Sequence, residues 1–170
     1  MRFFDRLFSP AADPRAEARP LWGKVVDHAR DPLWYRDCGV ADTLEGRFDM
    51  VTMILALVLL RMERREALAV RTAPLTEIFV EEMDGQLRQS GVGDLMVGKQ
   101  IGRLMATLGG RMGALRTALP GPETALRTVV ERNLTLTENA DTAIVADHLR
   151  ALAARLDATE DAALLAGEIA

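Results

Sequence analysis

Residues 50–60 read MVTMILALVLL, and this eleven-residue run is the most hydrophobic stretch of the chain. A helix that crosses a membrane needs about 20 apolar residues, so the run is too short, and charged residues flank it on both sides. Asp42 or Thr43 is a suitable N-cap for a helix that extends to about Leu68. Because the run is apolar on every side, other helices must surround it. The stretch therefore predicts a long, buried central helix.

Helix signals continue outward from this stretch in both directions. Asp13-Pro14 and Asp31-Pro32 each place an N-cap residue before a proline, a pair that opens helices. Apolar residues at helical spacing predict further helices at about 74–90, 94–119, 122–133 and 139–156. A chain of 170 residues that are 49% hydrophobic fits one domain with a sizeable core. We predict an all-α, single-domain bundle of about six to eight helices over residues 13–170.

The charge balance and the cysteine count exclude several classes of protein. The net charge of −4 argues against a nucleic-acid-binding domain, whose affinity depends on basic charge. The single cysteine, Cys38, excludes an internal disulfide and a multi-cysteine metal site. All of the 21 basic residues except Lys24 and Lys99 are arginines, a bias typical of GC-rich coding DNA that favours a bacterial source. We expect no nucleic-acid partner and no cofactor.

No combination of nucleophile, base and metal ligand stands out, so we expect no catalytic residue and no metal site. A reactive thiol needs a base or a cationic neighbour. His28 and His148 are the histidines of the chain, and neither has a sequence context that pairs it with Cys38. They also lack the His-x-x-x-His or Glu-x-x-His spacing of metal sites. We interpret Cys38 as a spectator thiol.

Residues 93–100, GDLMVGKQ, match the phosphate-binding pattern G-x-x-x-x-G-K. However, Gln100 stands where the pattern requires the magnesium-binding serine or threonine, and the preceding segment is predicted to be a helix rather than a strand. We interpret the segment as a connection between two helices. Gly91 in a left-handed conformation ends the first helix, and Asp94 caps the second.

Two stripes at helical spacing are candidate surfaces. On the helix predicted at 74–90, an acidic stripe of Glu77, Glu81 and Asp84 lies opposite the apolar face. This stripe is either the solvated face of the helix or a surface that binds a partner. The next helix carries a stripe of small residues, although each glycine inside a helix costs about 1 kcal/mol relative to alanine. This small stripe consists of Gly102, Ala106, Gly109 and Gly113. It suits close approach of another helix, from the same domain or, in an open groove, from a partner.

The segment 75–111, LTEIFVEEMDGQLRQSGVGDLMVGKQIGRLMATLGGR, resembles the ubiquinol–cytochrome c chaperone family. This family comprises the bacterial relatives of the mitochondrial assembly factor for the cytochrome bc complex. The residues that carry the resemblance are Phe79, Met83-Asp84, Leu87-Arg88, Gly91-Val92-Gly93-Asp94, Lys99 and Gly110-Arg111. The resemblance extends, less specifically, over about residues 20–150.

The resemblance implies a non-catalytic chaperone that assists biogenesis of the cytochrome bc complex, ubiquinol–cytochrome c reductase (respiratory complex III). Its client would be a membrane protein, cytochrome b. If the small stripe is an open groove rather than an internal helix contact, it is the candidate surface for the client, with charged residues at its rim. The candidate partner-binding residues are Asp84, Arg88, Asp94, Lys99, Gly102, Ala106, Gly109, Arg111 and Gly113. The alternative is an unrelated helical interaction module or an oligomeric subunit without chaperone activity.

The N-terminal segment, residues 1–12, is interpreted as flexible or amphipathic. Its apolar residues that can share one helical face are Phe3, Phe4, Leu7 and Phe8. Arginines beside this face favour a weak contact with an anionic membrane, while packing against the domain and disorder remain alternatives. Asp5 within the apolar residues argues against a secretion signal. We expect a cytoplasmic protein, with peripheral contact at the cytoplasmic face of the inner membrane as a further hypothesis.

Overall fold

Helices dominate the regular structure. The structure, a computed structural model, describes residues 13–89, 91 and 93–169, so the hypotheses about residues 1–12 lie outside the described residues. The helices of the described part are α1 (Pro14–Ala29), α2 (Pro32–Arg36), α3 (Leu44–Glu63), α4 (Glu66–Ala69), α5 (Thr72–Gln89), α6 (Asp94–Ala118), α7 (Glu123–Asn133), α8 (Thr142–Ala158) and α9 (Asp161–Leu165). An isolated antiparallel bridge joins Val40 and Leu136. Six of these helices have eleven or more residues, which confirms the predicted all-α bundle.

The hydrophobic stretch forms the middle of α3, which packs against α1, α6 and α8. Thr43 is its N-cap, and the Thr43 hydroxyl oxygen accepts a hydrogen bond from the N–H of Gly46 at 3.1 Å. Every residue in the range 52–62 is buried, which confirms the buried central helix. The predicted end at Leu68 is wrong, because Arg65 is extended (φ −124°, ψ 116°) and separates α3 from α4. This break turns Leu68 back into the core.

The two Asp-Pro pairs begin helices as predicted. The carboxylates of Asp13 and Asp31 each accept a hydrogen bond from the backbone N–H two residues further on, at 3.0 and 2.9 Å. The short helix α2 then covers the end of α1. The Trp34 ring N–H and the Tyr35 hydroxyl each donate to a backbone carbonyl at the end of α1, both at 2.7 Å. These bonds satisfy carbonyl groups that a helix end otherwise leaves unpaired.

One arginine of α6, Arg111, is buried against the first half of α3, with 4% of its surface exposed. Its guanidinium forms an ion pair with the Asp49 carboxylate and donates to the Thr52 hydroxyl. It also donates to the backbone carbonyls of Asp49 at 2.9 Å and of Asn133 at 2.6 Å. The second Asp49 oxygen accepts from the N–H and the hydroxyl of Thr135, at 2.8 and 2.7 Å. The prediction that Arg111 lies at the rim of a partner-binding surface is therefore wrong.

A second arginine, Arg61, is buried near the other end of α3. Its guanidinium donates to the backbone carbonyls of Leu156 and Thr159, both at 3.0 Å. It also pairs with the Asp161 carboxylate at 2.8 Å. Arg61 thus holds the end of α8 and the beginning of α9 against the central helix.

We predict that Asp49→Asn lowers the free energy of unfolding by about 3 kcal/mol, because loss of this half-buried carboxylate leaves the charge of the buried Arg111 uncompensated. The asparagine amide also replaces one acceptor oxygen with a donor, so either Arg111 or Thr135 loses its acceptor. Urea denaturation measures the change. The matched control is Asp157→Asn, which breaks the exposed Arg64–Asp157 pair and should cost less than about 1 kcal/mol. Equal stability of the two variants would contradict this role for Asp49.

Candidate functional site

The small stripe on α6 faces outward. Its members, Gly102, Ala106, Gly109 and Gly113, are all exposed. A Cβ atom added to any of its three glycines would meet no atom of a neighbouring element within 4 Å. Within the described part of the chain, no other helix therefore fills the stripe. The interpretation as a contact with another helix is therefore wrong for residues 13–89, 91 and 93–169, and the interpretation as an open surface fits this part of the structure.

The opposite side of α6 carries its buried residues. These are Val97, Leu108, Arg111, Leu115 and Ala118. A residue two positions from Arg111 lies about 200° around the helix, so Gly109 and Gly113 point away from the core. Met105, which lies beside the stripe, is 37% exposed. The rotation of α6 that buries Arg111 is thus the rotation that exposes the glycines.

A groove of about 560 Å³ between α5 and α6 adjoins the small stripe. Val80 of α5 and Met105 of α6 give it an apolar floor, and the acidic side chains of Glu77 and Glu81 line it. On α6, Met105 lies one helical turn from Gly109. The acidic stripe predicted on α5 is therefore one wall of a groove whose α6 side is Met105, next to Ala106 of the small stripe.

The candidate residues Asp84, Arg88 and Asp94 meet at the turn between α5 and α6. Arg88 pairs with Asp84 at 2.6 Å and also with Asp94. Its hydrogen bonds, first to Asp84 and then to Asp94, raise the pKa of the guanidinium. Gly91 has a φ of +84°, which confirms the predicted left-handed conformation. The prediction that Asp94 is the N-cap is wrong, because Gly93 holds that position and the Asp94 side chain pairs with Arg88 instead.

Lys99 lies on the exposed side of α6, one turn before Gly102 of the small stripe. The residues from Asp94 onward in the G-x-x-x-x-G-K match are helical, so they do not form a phosphate-binding loop. This confirms the interpretation of the segment as a connection that leads directly into a helix. Lys99 remains available as a positive charge at the edge of the stripe.

The environment of the thiol works against nucleophilic chemistry. Cys38 is 1% exposed, and burial raises the pKa of its thiol, so the thiolate is disfavoured near neutral pH. Burial also lowers the pKa of His28, which favours the uncharged imidazole. Across residues 13–89, 91 and 93–169, no group of three or more His, Cys, Asp or Glu side chains is placed to hold a metal ion. The distinctive feature of this part of the chain is the open, glycine-lined face of α6.

The fold and this surface define an all-helical protein with a glycine-lined helix face left open beside a shallow groove. The chain matches the ubiquinol-cytochrome C chaperone family over residues 36–170, and it belongs to this family. The match confirms the resemblance seen in residues 75–111. It also extends that resemblance to the end of the sequence and excludes the alternative of an unrelated helical module.

A solved structure has the same architecture. The crystal structure of the Cbp3 homolog from Brucella abortus is similar to this chain with a TM-score of 0.81 and 27% sequence identity. The similarity covers 99% of this chain and 94% of that chain. Among curated proteins, no sequence matches this chain.

We predict that Gly109→Ala raises the free energy of unfolding by up to about 1 kcal/mol, because alanine is the better helix former and the new Cβ meets no neighbour within 4 Å. The contrasting variant is Gly46→Ala in α3, where the Cβ would lie 2.0 Å from the carbonyl oxygen of Ala41. That variant should be strongly destabilised. Thermal melting compares the two variants with the wild type. A large fall in melting temperature for Gly109→Ala would show that the stripe is filled in solution.

Proposed function

We propose that this chain is a non-catalytic assembly chaperone that binds cytochrome b during biogenesis of the cytochrome bc complex. We further propose that the small stripe on α6 is the surface that receives this client. Membership of the ubiquinol-cytochrome C chaperone family supports the general role. The observation that carries the proposal is the open stripe, in which Gly102, Gly109 and Gly113 have no neighbouring element within 4 Å of an added Cβ.

A glycine and alanine surface suits the binding of an apolar helix. Without large side chains in the way, the backbones of two helices approach closely and gain van der Waals contact. A client that spans the membrane consists of such apolar segments. Met96 and Met105, which are 46% and 37% exposed, lie on the same helix. Methionine side chains are flexible and adapt to differently shaped apolar partners.

The same surface limits self-association of the free protein. Glycine and alanine present little apolar side-chain area. The stripe is therefore not a large exposed hydrophobic patch of the kind that drives aggregation. Lys99 lies at its edge, and the paired charges of Asp84, Arg88 and Asp94 lie at the beginning of α6. Charges around an apolar surface set the orientation of a partner more than they add affinity. We assign that orienting role to these four residues.

The composition of α6 is itself an argument for a partner. The helix contains five glycines in 25 residues, and each costs about 1 kcal/mol relative to alanine inside a helix. Close packing inside the domain does not offset this cost, because an added Cβ on any of the five would meet no neighbouring element within 4 Å. A binding role for this face explains why glycine is useful here despite its cost to the free protein.

We predict that Gly109→Leu reduces the cytochrome b that co-purifies with the tagged protein about fivefold or more. The leucine side chain overpacks the interface, at a cost of about 1–3 kcal/mol. The melting temperature should not fall, because the side chain extends into solvent in the free protein. The matched control is Ala151→Leu, which adds the same side chain at an exposed position of α8 and should recover cytochrome b like the wild type.

Two outcomes of this experiment count against the proposal. Equal recovery by Gly109→Leu and Ala151→Leu would place the client-binding surface elsewhere on the molecule. If the wild-type protein recovers no cytochrome b, and its deletion leaves the amount of assembled cytochrome bc complex unchanged, the proposed client is wrong.

A weak membrane contact through residues 1–12 is a further part of the proposal. Phe3, Phe4, Leu7 and Phe8 lie outside the described residues, and their spacing beside arginines supports peripheral binding to an anionic surface. None of the helices in the described ranges is both long enough and apolar enough to cross a membrane. A peripheral contact at the cytoplasmic face of the inner membrane would bring the small stripe near its client.

We predict that the full chain floats with anionic liposomes at low salt and that removal of residues 1–12 abolishes this flotation. Raising the salt concentration should release the full chain, because screening weakens the attraction between arginines and anionic lipids. Zwitterionic liposomes serve as the control for nonspecific capture. Equal flotation of the full and shortened chains would reject the membrane contact through this segment.

A further inference from the structure

An open cavity of about 570 Å³ lies at the end of the bundle where the last turns of α3, α6 and α8 meet. Leu60, Leu119 and Ala153 contribute apolar walls from the three parts of the chain. The residues of the small stripe do not line it. The side chains that give the cavity its positive charge are Arg64, Arg116 and Arg150.

Two of these three arginines are already paired. Arg64 donates to both carboxylate oxygens of Asp157, at 2.9 and 2.8 Å. Arg116 pairs with Glu63 at 2.7 Å. Arg64 is the C-cap of α3 and Arg116 lies in the last turn of α6, where the partial negative charge of a helix end favours a cation. Local contacts therefore account for both charges.

Local contacts do not account for Arg150 in the same way. Its Nε and Nη2 atoms are buried and have no hydrogen-bond partner in the described structure. Arg150 also lies about two turns before the end of α8, beyond the last turn in which the helix dipole stabilises a cation. Nε and Nη2 form one edge of the guanidinium, and that edge binds two oxygens of an oxyanion side by side. Arg150 thus lines an open cavity and holds, beneath the cavity surface, a bidentate edge whose two donors have no partner.

We propose that this cavity binds a phosphate group carried on an apolar molecule, with Arg150 as its main contact. Rotation of the Arg150 side chain brings its unfilled edge to the opening, where phosphate oxygens satisfy both donors. The charged side chains of the lining carry one net positive charge, which suits a single anionic group. The apolar walls accommodate the remainder of the molecule, and the volume lies within the range of small-molecule sites, about 300–1,000 Å³. Inorganic phosphate and a phospholipid headgroup share this chemistry.

Isothermal titration of the full chain tests the proposal with two probes, inorganic phosphate and monomeric dihexanoylphosphatidic acid. We expect binding that Arg150→Gln weakens about tenfold or more, because that variant removes the charge and the bidentate edge. The matched control is Arg155→Gln, an exposed position on the same helix that does not line the cavity. Its affinity should equal that of the wild type.

A second variant keeps the test decisive if Arg150→Gln folds poorly. Ala154→Glu places a carboxylate one turn from Arg150 on the cavity wall, where it pairs with the guanidinium. It should block binding without lowering the melting temperature. Binding of both probes supports a site for phosphate itself, and binding of the lipid alone supports a headgroup site that requires the acyl chains. The proposal is overturned if neither probe binds, or if both Arg150→Gln and Ala154→Glu leave the affinity unchanged.

Discussion

The ion pair between Arg111 of α6 and Asp49 of α3 sets the rotation of α6 about its own axis. The Arg111 guanidinium donates to two side chains and two backbone carbonyls that lie on α3 and at the end of α7. Replacing a buried pair with apolar side chains is often neutral for stability, so we assign this pair a geometric role. It determines which residues of α6 enter the core. Gly109 and Gly113, on the opposite side of the helix, are left open to solvent as a direct consequence.

The rotation of α6 gives its two sides different properties, a buried apolar side and an exposed glycine side, and both matter for the proposed binding role. Val97, Leu108 and Leu115 hold the helix against the domain through ordinary apolar burial. The exposed side gives up intrinsic helix stability at its glycines. The domain therefore supports a helix whose outer face lacks large side chains, as the proposed binding of a client helix requires. Stability comes from one side of α6 and the proposed activity from the other, so substitutions can separate the two.

The accuracy of the sequence predictions depended on how local each signal is. The Asp-Pro pairs, Thr43 and the left-handed Gly91 act within a few residues of themselves, and the structure confirms them. The predicted rim position of Arg111 is wrong because its partners, Asp49 and Asn133, lie 62 and 22 residues away in sequence. The exposure of the small stripe depends on which helices pack beside α6, and no pattern within the helix contains that information. The predicted N-cap of α6 is wrong by one position, because Arg88 binds the Asp94 carboxylate and Gly93 is the N-cap.

The bonds of Arg61 also constrain the order in which the chain acquires its structure. Its acceptors at Leu156, Thr159 and Asp161 lie 95 to 100 residues beyond it. During synthesis from the N-terminus, α3 emerges long before these groups exist. The Arg61 guanidinium must stay hydrated until its acceptors have been made, since burying an unpaired charge is costly. The central helix therefore completes its packing late, after α8 and the beginning of α9 have been made. A chain that ends before residue 156 lacks these acceptors, so the part of α3 that α8 covers stays open to its surroundings until α8 has been made.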